Sequence, residues 1–278
     1  MKKILKIAGG GILAAAAGVC AAKAVSGPDI TEYEIYSKKL PEKFDGFKIA
    51  HISDFHCACI PELVPVIKSI NADIIVSTGD MVNKNNSIER AVNLTRKLTD
   101  IAPLYMVSGN HDKERVEHME IEDICNGGEG RFLHNESVLI ERGGESIQLS
   151  GTDDPYAGAR DDYVQRAMNE KLDMLRPYSG FHILLFHRAN LADIPAQRGF
   201  DLMLAGHMHG GQIRIPKIGG ILPPKSNIDN GFFPKYTGGK YIIGNSTLIV
   251  NRGLGNPIPI PRINNHPEIV VIKLNHMK

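Results

Sequence analysis

The sequence has no tryptophan, only four cysteines and almost no net charge. Each shortage excludes a class of protein. Four cysteines in 278 residues do not make a small disulfide scaffold. A balance of 32 basic against 31 acidic residues leaves a formal +1, without the basic surplus of a nucleic-acid binder. Aromatic residues are 6% of the chain, yet apolar residues reach 42%, which is enough to bury a core and excludes the disordered class. Repeats at the usual solenoid or propeller periods are absent. The sixteen uncharged residues from Ile7 to Ala22 fall short of the ~20 that a spanning helix requires.

That uncharged run is nevertheless where the charge balance breaks. Lys2, Lys3, Lys6 and Lys23 surround it and no acid lies among residues 1–23, so removing this +4 leaves −3 on the rest. A basic start, a short Ala- and Gly-rich apolar core and a small-x-small site at Ala22-Lys23-Ala24 read as a secretory signal, with an uncleaved N-terminal anchor as the alternative. A lipoprotein site at Cys20 is disfavoured by Val19, where such sites carry Gly or Ala. A cytosolic amphipathic helix is disfavoured because the segment has no polar face and Gly9-Gly10-Gly11 interrupts it. The expected organisation is a signal peptide or membrane anchor over 1–26 and one domain over 27–278, anchored or exported to the extracytoplasmic face.

After Ser26-Gly27-Pro28 a repeated pattern begins, in which a short apolar run ends in a polar cluster. Runs at 47–52, 73–77, 104–107, 146–150, 181–186 and 201–205 end at Ser53-Asp54-Phe55-His56, Thr78-Gly79-Asp80, Ser108-Gly109-Asn110-His111-Asp112, Gly151-Thr152-Asp153-Asp154, His187 and Gly206-His207-Met208-His209. Such runs read as buried strands. Helical spacing over Ile88–Leu98 behind Ser87 as N-cap, over Val116–Ile124, and over Tyr163–Leu175 behind Asp161-Asp162 gives intervening helices. Strands alternating with helices predict an α/β layered domain with a largely parallel sheet. The stretch from Gly210 to Pro261 is rich in Gly and Pro. With strands at 241–243, 248–250 and 268–274, the C-terminal third is expected to complete a second sheet.

The polar clusters fall at the carboxyl ends of these strands, the edge where open α/β sheets bind ligands. Asp54, His56, Asp80, Asn110, His111, His187, His207 and His209 therefore converge. Imidazoles mixed with carboxylates suit Zn, Fe or Mn better than Mg or Ca. In Asp54-x-His56 and His207-x-His209, side chains two apart point the same way, so each pair is expected to reach one metal region. Asp80, with two oxygens, can bridge two cations ~3.5–4 Å apart, between which a hydroxide and a phosphoryl group fit. His118, His134, His182 and His266 are read as structural.

Together Asp54-x-His56, Gly79-Asp80, Gly109-Asn110-His111-Asp112, His187 and Gly206-His207-x-His209 resemble the calcineurin-like metallophosphoesterase superfamily over about residues 47–275. Gly210-Gly211-Gln212, Asn251-Arg252-Gly253-Leu254-Gly255, Pro261-Arg262 and Pro267-Glu268-Ile269 resemble its YkuE-type envelope subgroup, whose relatives include pyrophosphatases of UDP-2,3-diacylglucosamine. The resemblance implies a four-layer α/β/β/α sandwich and two divalent metal ions. The first ion would take Asp54, His56, Asp80 and His209; the second, Asp80, Asn110, His187 and His207. His111 would serve the leaving oxygen, with Asp112 orienting its ring.

The expected function is metal-dependent hydrolysis of a phosphodiester or pyrophosphate, lipid-linked or from the envelope, by attack of a hydroxide held between the metals. The alternatives are a metal-stabilised envelope-binding module, or a nuclease or phosphomonoesterase of the same superfamily. A protein phosphatase is disfavoured, since Gly79-Asp80-Met81-Val82-Asn83-Lys84-Asn85 departs from the Gly-Asp-x-x-Asp-Arg-Gly that such enzymes resemble. No nucleic-acid partner is expected. Arg160, Arg188 and Lys225 read as solvated surface residues, with contact to substrate charge as the other reading. Cys57, Cys59 and Cys125 are odd in number; one bridge from Cys57 or Cys59 to Cys125 is an open alternative to free thiols.

Overall fold

The computed structural model describes residues 27–83, 87–155, 161–222, 224 and 231–278. In chain order the elements are β1 (Asp29–Ser37), β2 (Lys48–Ile52), α1 (Leu63–Ile70), β3 (Ile74–Ser77), α2 (Glu89–Thr99), β4 (Leu104–Met106), α3 (His118–Asn126), β5 (Arg131–Phe132), β6 (Glu136–Arg142) and β7 (Glu145–Gly151). They continue with α4 (Asp161–Asp173), β8 (His182–Arg188), β9 (Leu202–Gly206), β10 (Arg214–Ile215), β11 (Gly219–Gly220), β12 (Gly239–Ile243), β13 (Ser246–Val250) and β14 (Glu268–His276). One six-stranded sheet has the order β1-β14-β2-β3-β4-β5, and the other β12-β13-β9-β8-β7-β6. The strands whose ends carry the polar clusters run parallel to one another within each sheet: β2, β3 and β4 in the first, β7, β8 and β9 in the second.

The layers follow from strand alternation. Ile49, Ile74 and Val76 of the first sheet pack with Leu149, Ile183 and Leu204 of the second in one core between the sheets. Their neighbours Ala50, Ile52 and Ile75 point outward under Ile67 of α1, Leu94 of α2 and Ile121 of α3. On the far side, Leu184, Phe186 and Met203 lie under Val164, Met168 and Leu172 of α4. The result is the expected α/β/β/α sandwich. Strands apolar on both faces fit this burial, and each fully buried Leu, Ile or Phe contributes about 1.5–3 kcal/mol.

Several expectations need correction. β14 does not join the second sheet; it inserts into the first, between β1 and β2, antiparallel to β2. Its continuous apolar run, Ile269 to Ile272, suits either sheet, so composition could not choose. The N-cap of α2 is Ile88; the Ser87 hydroxyl accepts only the Glu89 N–H, at 3.3 Å. Val116 precedes α3, and both Val116 and Met119 are exposed; the buried face is His118, Ile121 and Cys125. Six elements lay outside the sequence reading: β1, α1, β5, β6, β10 and β11; α1 carries Pro65 in its first turn, where its missing N–H costs nothing. No disulfide forms among the described residues. Cys125 donates to Leu104 O at 3.2 Å, and burial pushes its thiol up to about 12; Cys57 is a buried and Cys59 an exposed free thiol. Residues 1–26, which carry the leader, and the side chains of Asp161 and Asp162 lie outside the described residues.

Candidate metal centre

The strand ends bring the expected residues together. Asp54, His56, Asp80 and His209 present ligand atoms all within 4.8 Å of one another, and Asp80, His187 and His207 form a second such group. Asn110 Oδ1 lies 3.2 Å from His187 Nε2 and so joins the second group. Asp80 belongs to both. The pair Asp54 and His56 shares one group, whereas His207 and His209 divide between the two. Convergence does not come from strand alternation, as the spacing suggested. Asp54, His56, Asp80, His207 and His209 all have positive φ, between 46° and 71°. This left-handed backbone is uncommon for non-glycine residues and marks sites where surrounding structure holds strain. Two glycines make room for it. A Cβ on Gly109 would stand 2.1 Å from Asp80 Oδ1, and one on Gly206 would stand 1.9 Å from Ser53 Oγ.

Hydrogen bonds aim the rings. His56 Nδ1 donates to Val82 O (3.2 Å) and His187 Nδ1 to Thr78 O (2.8 Å), which leaves each Nε2 facing the cluster. His56 Nε2 and His209 Nε2 are 3.3 Å apart; His187 Nε2 and His207 Nδ1 are 3.1 Å apart. Two pairs of imidazole nitrogens directed at each other around buried carboxylates form the donor set of a divalent cation, so the residues present fit the metal. Asp54 is held by Ser53 Oγ at 2.6 Å and the His207 N–H at 3.0 Å.

Burial sets the electrostatics. It pushes His56 down to about 4 and His207 and His209 well below their usual range, the last two also repelled by Arg188 and by His56 with Arg262 respectively. These three rings are neutral, with lone pairs available for coordination. Burial raises Asp54 to about 6. Burial alone would push His187 down, but Asp80 at 3.3 Å reverses this and holds it up at about 10. Burial likewise opposes the Asp80 charge, yet His187 and His56 keep that carboxylate well below its usual range. Without metal, the pair therefore keeps one proton on His187 at pH 7, and metal must displace it. Metal loading is expected to release about one proton at neutral pH, and apparent affinity to rise with pH. Calorimetry in buffers of different ionisation enthalpy reads this directly; a buffer-independent heat would contradict it.

His111 lies at the rim, half-buried, its ring edge-on to His56 with centroids 5.0 Å apart, and its Nδ1 has no hydrogen-bond partner. Asp112 does not orient that ring. Its Oδ2 accepts the Asp80 N–H (2.7 Å) and the Gly109 N–H (2.8 Å), and its Oδ1 accepts the Val82 N–H (3.1 Å). It braces the two strand-end loops that follow β3 and β4. Arg188 is not a surface residue either: it is buried and paired with Asp154, Nε to Oδ2 at 2.7 Å, with its Nη1 at 3.4 Å from His207 Nε2. Arg160 and Lys225 lie outside the described residues. The sequence reading left unassigned Asp154 and Arg262, whose Nη2 is 3.3 Å from His209 Nδ1. The only signals were the polar cluster after β7 and the Pro261-Arg262 pair. His118, His134 and His182 are hydrogen-bonded structural residues, as expected.

A two-sheet sandwich with paired His and Asp donors at its strand ends defines a metal-dependent hydrolase of phosphate esters. Residues 47–211 match the calcineurin-like phosphoesterase family. The chain is 32% identical over 258 residues to "Uncharacterized metallophosphoesterase YkuE" of Bacillus subtilis, covering 88% of this chain and 85% of that one. It is 25% identical over 239 residues to "Phosphodiesterase YaeI" of Escherichia coli, covering 82% of each. It is 27% identical over 206 residues to "Transmembrane protein with metallophosphoesterase domain" of Danio rerio, covering 67% of this chain and 45% of that one. The chain belongs to the calcineurin-like phosphoesterase family and is a metal-dependent phosphoester hydrolase.

Proposed function

We propose that this protein hydrolyses a phosphodiester or pyrophosphate bond in a lipid-linked envelope substrate, using two divalent ions. One would be held by Asp54, His56, Asp80 and His209, the other by Asp80, Asn110, His187 and His207. The observation that carries the reading is the pair of donor groups sharing Asp80. When bound, two such ions supply Lewis-acid activation of water and offset charge on the phosphoryl oxygens. The imidazole-rich donor set favours Mn, Fe or Zn. The chain's own residues do the remaining work. Thr78 and Val82 carbonyls fix the His187 and His56 rings. His111, its Nδ1 unpartnered beside His56, holds a proton for the leaving oxygen.

The substrate reading rests on two supports: the YkuE-type motifs, and the apolar basic segment 1–26 read as a signal or anchor at the extracytoplasmic membrane face. A UDP-diacylglucosamine-type pyrophosphate has the required chemistry. A screen of metal-analysed protein against phosphate monoesters, diesters and pyrophosphates, UDP-linked lipids included, tests this. Turnover of bis(p-nitrophenyl) phosphate with Mn²⁺ is expected. Metal-loaded protein inert on every ester would instead favour the binding module. His111→Asn is expected to lower turnover by roughly 10²–10⁴-fold while keeping its metal, as loss of a general acid does. Full activity in that variant would remove His111 from the chemistry.

A further inference from the structure

We propose that the loops beside His209 form an apolar rim that rests on an anionic lipid bilayer and holds the metal centre at headgroup level. This rests on the lipid-linked reading above and adds how the site meets the lipid.

Six apolar residues of three loops are exposed: Ile215, Ile218 (65%), Phe232 (73%), Phe233 (56%), Ile258 and Ile260. Backbone hydrogen bonds tie the loops. Phe233 N–H donates to Ile221 O (2.9 Å), Arg214 N–H to Ile263 O (3.0 Å), and Ile263 N–H to Gln212 O (3.2 Å). Pro216, Pro234, Pro257, Pro259 and Pro261 stiffen them, so the apolar side chains are held out at little entropic cost. Exposed apolar surface of this kind marks a contact site. The same loops carry the metal centre's edge: Asn265 Nδ2 donates to His209 O at 2.7 Å, and Arg262 lies against His209.

Two further observations select a bilayer as occupant. The first is charge. Residues 202–267 contain seven Lys or Arg against one acid, Asp229, whereas residues 27–201 with 268–278 carry −9. Lys235 is paired with Asp193 and Arg252 with Glu268. Lys217, and Arg214 with its Nη1 on Gly210 O at 3.0 Å, line a hollow of about 340 Å³ with Ile218 and Asn264, a cationic and apolar setting suited to an anionic headgroup. The second is where the chain comes in. Gly27 sits beside Glu62, just past the His56 loop, and the Asp29 N–H donates to Pro267 O. Glu268, next in register to Asp29, donates its N–H to Gly253 O, and Gly253 packs on Asp54. Residues 1–26 thus join the domain at the edge that holds the metal centre. An apolar leader seated in a membrane brings that edge, rather than the opposite one, to the surface.

The absence of tryptophan supplies the test. Full-length Phe232→Trp is mixed with phosphatidylcholine vesicles that contain phosphatidylglycerol and lipids brominated near the headgroup. Its emission is expected to shift blue and lose about half its intensity or more, as an interfacially buried indole does. Tyr36→Trp, exposed at the opposite end of β1, is expected to stay unquenched. Ile218→Glu added to Phe232→Trp is expected to restore most of the emission, and omitting phosphatidylglycerol to weaken the quenching. An unquenched Phe232→Trp, whether or not the protein floats with the vesicles, overturns the rim. Equal quenching at both positions also overturns it. Hydrolysis of bis(p-nitrophenyl) phosphate, measured on the same samples, separates the two readings. Quenching without hydrolysis would leave the rim and remove the proposed reaction; hydrolysis without quenching would do the reverse.

Discussion

Asp80→Asn is expected to lose metal and activity together. Asparagine has the shape of aspartate, so its oxygen still accepts the His111 N–H that Asp80 Oδ1 accepts at 2.8 Å. The second oxygen becomes an amide that donates. That atom lies 3.3 Å from His187 Nε2 and 3.6 Å from His56 Nε2, in the space where both donor groups meet. A donor pointing into a cation position, with the only shared negative charge gone, removes the bridge between the groups. The expected loss of turnover is about 10³-fold or more, since the reaction draws several kcal/mol from metal-held charge. Metal analysis should show at least one ion missing. His187 reports the same change independently. The Asp80 carboxylate is the largest of the charges that hold the proton on that ring, ahead of Asp54 and Asp154, so the variant should hold it less tightly and release less of a proton on loading. A variant with full metal content and no activity would exclude Asp80 as the shared ligand.

The ligand candidates were legible in the sequence because each is a polar residue placed abruptly after an apolar run, and six such places recur at strand ends. What held them was not. The positive φ of Asp54, His56 and His209 leaves no mark on residue type, since Asp and His are ordinary in turns. Arg188 read as a surface cation because its partner Asp154 lies 34 residues earlier, at the end of a neighbouring strand. β14 illustrates the same limit at the level of topology. Its run of Ile269, Val270, Val271 and Ile272 announces a buried strand, but the choice of sheet depends on β1, an edge strand with mostly exposed or half-buried side chains and a weak apolar signal. Local patterning fixes which segments are strands; long-range pairing decides where they go.

Asp112 is where that difference has its largest energetic consequence, and Asp112→Ala should show it. In the Gly-Asn-His-Asp run the natural expectation is a carboxylate steering the neighbouring imidazole. The side chain instead turns inward, 1% exposed, and its two oxygens accept three backbone N–H groups from residues 80, 82 and 109. Truncation leaves three buried donors without an acceptor, each costing about 1–3 kcal/mol, for a loss of roughly 3–9 kcal/mol. That is large against a folding free energy of about 5–15 kcal/mol. Asp112→Asn keeps one acceptor oxygen and should fall between the two. The measurement is urea unfolding in the presence of a chelator, so that lost metal cannot masquerade as lost stability. A lower midpoint with unchanged slope is the expected result. Were Asp112 to act on the His111 ring, Asp112→Asn would lower turnover and leave the metal-free midpoint in place. The two roles thus separate on a measurement made without metal or substrate. The structure favours the bracing role for a physical reason: both oxygens of the carboxylate are engaged by buried backbone N–H groups, and His111 Nδ1 has no hydrogen-bond partner at all.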